Sequence, residues 1–212
     1  MNNKETDWVA NRLEKESAVV GRTPEGFLVV SSRHGCTFVV AVLGMQNVIG
    51  RSEVAPLFDG ATKPQLVVNV PSKTLWSGTA IDYIHAASAA FGTFGDIARA
   101  ADMEDAGSFR NKNIGFFINA MKQHSNVTSV SYIYESVFKV DCRIGASVIV
   151  AVIDAYNMSA EDVRNAKARF GHFDVVVKSS SYGSITGQAE AAAKSMGAVA
   201  LTFRELMQWL AH

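Results

Sequence analysis

The sequence predicts an α/β protein built as two tandem αβββαβα repeats, each a central mixed sheet flanked by helices. Three observations carry this. Two stretches about a hundred residues apart say the same thing, short continuous apolar runs alternate with helix-period segments, and capping residues stand where one pattern gives way to the other.

The repeat is plainest in "GTAIDYIHAASAAFGTFGDI", residues 78–97, and "GQAEAAAKSMGAVALTFREL", residues 187–206. Both open Gly-x-Ala, carry an alanine-rich middle and close on Thr-Phe-x-acid-aliphatic. Gly78 and Gly187 stand 109 residues apart, as do Thr93 and Thr202. At that shift 67–101 aligns without a gap, and Val67, Val68, Ser72, Ala80 and Phe94 fall on Val176, Val177, Ser181, Ala189 and Phe203. At a shift of 110, "FLVVSSRHGCTFVVAVLG" lies over "VFKVDCRIGASVIVAVID". There Val30, Arg33, Gly35, Val40, Ala41 and Val42 meet Val140, Arg143, Gly145, Val150, Ala151 and Val152. A third block, "WVANRL" over "FFINAM", needs a shift of 108. The expected domains are 1–106 and 107–212, divided within the polar stretch "ADMEDAGSFRNKN" at 101–113.

Each copy opens with an amphipathic helix, through Trp8, Val9 and Leu13 in one and Phe116, Phe117 and Met121 in the other. Three strands follow. The second and third form a hairpin through Arg33–Gly35 or Arg143–Gly145. The third strand is a continuous apolar run in both copies, as expected of a central strand covered on both faces. A helix then starts near Ser52 or Ser159, the latter with acids in its first turn. The strand "QLVVNV" or "FDVVVK" comes next, then a helix capped by Ser77 or Thr186. Copy two adds a strand, "AVAL", and a last helix, "TFRELMQWL".

At 212 residues and 48% hydrophobic, the chain can fill a sizeable core. No apolar run is long enough for a membrane span, and the polar start "MNNKETDW" has no secretory h-region. Cys36 and Cys142 have neither zinc spacing nor the density of a secreted scaffold, and both read as buried thiols. These features point to a cytoplasmic protein with no membrane partner. Twenty basic and twenty acidic residues give zero net charge, which weighs against indiscriminate binding to phosphate backbones. The balance is uneven, with 9 basic against 12 acidic residues in 1–109 and 11 against 8 in 110–212.

The order αβββαβ, with "VVVKSSSYGSITGQAEAAAKSMGAVALTFRELMQWL" closing copy two, resembles the restriction-endonuclease-like superfamily, specifically its Mrr-type PD-(D/E)XK branch. The resemblance implies a nuclease-like fold in each repeat. It also implies a divalent metal held between an Asp near the second strand and a Glu or Gln on the third, with a Lys two residues on. Such a site suits Mg²⁺, which takes hard oxygen ligands and activates water. This chain departs from that signature. The third-strand positions are Val40-Ala41-Val42 and Val150-Ala151-Val152, and the only acid close before the second strand of copy one is Glu25. Copy two offers Glu135, Asp141 and Asp154 as the acids of a rearranged site. Both copies are therefore expected to be inactive, with no cofactor. Mg²⁺ enters only if copy two retains a rearranged nuclease site.

Other residues are candidates for binding. "KSSSYGSITG", 178–187, leads into a helix N-terminus where Lys178, Ser180 and Ser181 can meet a phosphate; a plain polar loop is the alternative. Arg143 in the hairpin turn would add charge. In the counterpart "VPSKTLWSG", Lys73 and an exposed Trp76 can stack on a base or dock a partner; Trp76 packing its own helix is the alternative. His34, His85, His124, His172 and His212 have no metal-ligand spacing. Ala86, Ala87, Ala89 and Ala90 read as a stripe for close helix packing.

The expected function is thus non-catalytic. A nuclease-like pseudoenzyme, a tandem pseudo-dimer able to oligomerise further, would bind DNA, RNA or a nucleoprotein partner in a phage, mobile-element or defence setting. A metal-dependent nuclease and a protein-interaction scaffold are the alternatives.

Overall fold

A computed structural model describes residues 3–14 and 18–211, so the histidine at 212 lies outside the described residues. The chain forms two compact units, Met1–Arg110 and Asn111–His212. The division falls later than the expected 106/107. Ala106–Ser108 makes a 3-10 turn, and Ala106 and Phe109 are buried in the first unit's core. The second unit starts where the Asn111 side chain accepts the N–H groups of Asn113 (3.1 Å) and Ile114 (3.3 Å) and so caps its first helix.

The first unit runs α1 (Asn3–Glu14), β1 (Val19–Arg22), β2 (Leu28–Ser31), β3 (Thr37–Leu43), α2 (Arg51–Val54), β4 (Leu66–Asn69), α3 (Gly78–Ala86), β5 (Ala90–Thr93) and α4 (Asp96–Ala101). The second runs α5 (Lys112–Gln123), β6 (Val127–Tyr134), β7 (Val137–Cys142), β8 (Val148–Ile153), α6 (Ala160–Phe170), β9 (Val175–Lys178), α7 (Gly187–Ser195), β10 (Val199–Thr202) and α8 (Phe203–Trp209). Both units therefore end in the extra βα pair, which the sequence had promised only for the second. The alanine stripe is not a helix face. Ala86 and Ala87 are exposed at the end of α3, while Ala89 and Ala90 lead into β5.

Each unit has a five-stranded mixed sheet in sequential order, β1-β2-β3-β4-β5 and β6-β7-β8-β9-β10. The first three strands of each are antiparallel neighbours and the last three parallel ones. The ladders account for the two alignment shifts. Val40 faces Leu28 and Leu66, while Val150 faces Phe138 and Val175. The hairpins thus correspond at 110 and the parallel strands at 109. The difference is absorbed in the loops after β3 and β8, because the bridge Ile49–Trp76 is matched by Met158–Ile185 at 109 again.

The repeated residues have local jobs. Gly35 (φ +80°) and Gly145 (φ +93°) turn the hairpins in a left-handed conformation that a side chain would disfavour. In the Thr-Phe-x-acid segment, the acid accepts the Thr N–H and hydroxyl. Asp96 does so from Thr93 (both 2.8 Å) and Glu205 from Thr202 (2.8 and 2.7 Å), reciprocally in α8. Phe94 packs edge-on against Trp8 at 5.2 Å, and Phe203 packs on Phe116 at 4.9 Å, tying the last helix to the first. In copy one the helix after β3 is short: Gly50 caps it through Glu53, and Pro56 turns the chain into a 3-10 segment.

In the second unit the sheet separates two apolar layers. Val150, Val152, Val175 and Val177 pack with Phe117, Met121 and Leu206 of α5 and α8. Ala151 and Val176 point the other way, onto Val163, Ala166, Ala189 and Ala193 of α6 and α7. The alanine-rich middle of the repeat is the small-residue surface that lets α7 lie close on the sheet. Among the described residues no helix is long and apolar enough to cross a membrane.

Candidate functional site at the carboxyl ends of β8 and β9

The third strands carry no acid, amide or lysine, and their central residues are buried. β3 reads TFVVAVL and β8 VIVAVI, with Val40, Ala41, Val150 and Ala151 fully buried. A carboxylate there would be taken out of water with no partner, at a cost of several kcal/mol.

The acids named from sequence do not converge. Asp141 sits at the end of β7, where Ser129 Oγ and Ser147 Oγ (both 2.6 Å) and Lys139 Nζ (2.8 Å) surround it. The Lys139 hydrogen bond, with the two serines, holds its carboxyl below the usual carboxylate range. Asp154 follows the far end of β8 and meets Ser179 Oγ at 3.3 Å. A strand of this length puts about 20 Å between the two, too far to share an ion. Glu135 is engaged by Arg169 at 2.6 Å. In the first unit Glu25 accepts the Thr62 N–H at 3.0 Å, the chief cause of its lowered pKa, and holds a loop. Among the described residues no three His, Cys, Asp or Glu side chains gather as a metal site.

Lys178 is the largest departure from the surface role expected of it. Only 1% exposed, it lies at the end of β9 with its ammonium donating to the carbonyls of Ser180 (2.6 Å) and Tyr182. Its charge is spent on loop backbone and is not presented to a phosphate. Asn69, its counterpart in β4, does the same job without charge, bonding the Met45 and Pro71 carbonyls (3.1 and 3.0 Å) and the Met45 N–H (2.9 Å). Ser180 Oγ also turns inward, to the Tyr182 backbone, whereas Ser181 is exposed. Arg143 lies in the β7–β8 turn, at the opposite end of β8 from Lys178, so the two do not form one charged patch. Trp76 is 4% exposed and packs on Phe91 at 5.3 Å; Lys73 is exposed. Cys36 is exposed in its turn, and half-buried Cys142 has its thiol pKa raised by burial and then by Asp141.

No protein-family model, curated protein or solved structure matches the chain.

What remains at the carboxyl ends of β8 and β9 is a braced pair of loops. Ser184 donates from N (2.9 Å) and Oγ (3.3 Å) to Asn157 Oδ1, Met158 N donates to Ser184 O (2.9 Å), and Thr186 N and Oγ1 both donate to Met158 O (3.1 Å). Gly183 (φ +75°) lies so close that a Cβ would fall 1.9 Å from the Tyr156 carbonyl oxygen. Tyr156 and Tyr182 stand on this frame, 69% and 74% exposed. Sequence reasoning passed over both. The available signal was two large aromatics set among Ser, Gly and Asn, outside any apolar period.

Proposed function

We propose that the chain is a non-catalytic, restriction-endonuclease-like protein that acts by binding nucleic acid, alone or within a nucleoprotein. The observation that carries this reading is the third strand. Each unit realises the order αβββαβ, and where the resembling family keeps its acid and lysine, β3 and β8 hold only apolar residues and one threonine. Binding then falls to surface loops.

Two measurements on the purified full chain test the reading. Plasmid and single-stranded DNA incubated with Mg²⁺ or Mn²⁺ should remain intact, and a gel shift at low salt should show a complex with DNA or RNA. Cleavage that vanished in Asp154→Ala would establish the rearranged nuclease. Intact substrates with no complex would favour a protein-interaction scaffold, the reading that the zero net charge and the inward Lys178 support.

A further inference from the structure

We infer that the loop pair 154–158 and 179–186 is a stacking platform for unpaired bases, so that the nucleic acid bound is single-stranded. This rests on the binding function proposed above and names the kind of strand and the residues that hold it.

The rings come first. Among the described residues, neither Tyr156 nor Tyr182 stacks on another aromatic, and the loops that carry them touch, Gly183 lying against the Tyr156 carbonyl. Their loops are held by the bonds to Asn157, Met158 and Lys178, so little ordering remains to be done when a ligand arrives. A rigid, exposed ring offers a large flat face at low entropic cost, and every base has a π-face to set against it.

The position agrees. Both loops leave the carboxyl ends of the adjacent parallel strands β8 and β9, so they rise from the same edge of the sheet.

The charge argues for bases over phosphates. The Lys178 ammonium beneath the loop bonds carbonyls only, and Asp154 is exposed on the neighbouring loop. Their formal charges sum to zero, and neither loop carries another ionised side chain. Affinity should therefore come from stacking and depend little on salt. A duplex, with its bases already stacked, has nothing to offer the rings. The first unit lacks the device, since Lys73 aligns with Tyr182 and Asn47 with Tyr156 at the shift of 109.

The test is fluorescence anisotropy of the full chain with labelled oligo(dT) and with a duplex of equal length, at low and at physiological salt. Oligo(dT) should bind in preference to the duplex, with a shallow salt dependence. Tyr156→Ala and Tyr182→Ala should each weaken it by about tenfold or more, and Tyr→Phe at either site should restore most of the affinity. Unchanged thermal midpoints are expected for these exposed positions and confirm that folding is intact. Oligo(dT) binding that both alanine variants keep would overturn the platform while leaving nucleic-acid binding in place. A preference for duplex would do the same, and no binding of either probe by the parent at low salt would remove both.

Discussion

Lys178→Met tests whether a buried cation holds the β9 loop. The variant keeps the stem's bulk and removes the ammonium, leaving the Ser180 carbonyl without its donor and the Tyr182 carbonyl with the Ser180 hydroxyl alone. Two opposing terms decide the outcome. Hydrogen bonds from a charged donor contribute about 1.5–3 kcal/mol each, while burying an ammonium costs several kcal/mol, so replacement by an apolar isostere can be neutral. Here the carbonyls stay behind, at about 1–3 kcal/mol for each one left unpaired. The Tyr182 carbonyl keeps the Ser180 hydroxyl at 3.2 Å, whereas that of half-buried Ser180 loses the ammonium it accepts from. The net expectation is about 2–3 kcal/mol of destabilisation, confined to the second unit. Urea titration of the full chain followed by tryptophan fluorescence and far-UV dichroism, compared with the parent, measures it. A loss below about 0.5 kcal/mol would refute the reasoning, since desolvation would then outweigh the two bonds. Lys178→Glu, which sets a carboxylate against two carbonyls, should unfold the unit outright.

Gly183→Ala should cost at least about 2 kcal/mol in a urea titration, because it combines a positive φ with a Cβ placed against the Tyr156 carbonyl. Thr202→Val removes the α8 cap and should lower stability by about 1 kcal/mol, seen as a lower thermal midpoint. Burial, and then the Arg110 charge, pull the His85 imidazole down to about 4, below its ordinary 6.5. As pH falls through that window the unfolded chain takes up the proton first, so stability is full above the unfolded value and is lost toward pH 4. The urea midpoint of the first unit should drop between pH 7 and 5, and His85→Gln should flatten the drop.

The internal repeat made the fold largely legible in the sequence. Shifts of 110 and 109 are the ladder registers of the hairpins and of the parallel strands, so aligning the copies amounted to pairing the strands. Capping chemistry is equally local, because Thr202 and Glu205 meet across a single turn whatever surrounds them. The apolar third strands were also plain from composition, since no register can supply an acid that the strand lacks.

The candidate site was decided elsewhere. β4 and β9 are buried on both faces, so alternation could not tell that Lys178 and Asn69 turn inward to loop carbonyls. Trp76 looked exposed in a polar loop until its bridge to Ile49 drew it under the chain. Arg143 and Lys178 were separated by strand direction, because an antiparallel hairpin returns its turn to the end of the sheet opposite the parallel crossovers. Tyr156 and Tyr182 were brought together by two loops 26 residues apart that share Asn157 and Met158 as braces. Composition and period fix what a segment becomes, since those forces act within a few residues. Which side chains share a surface depends on crossovers and strand ends, and only the folded chain sets those.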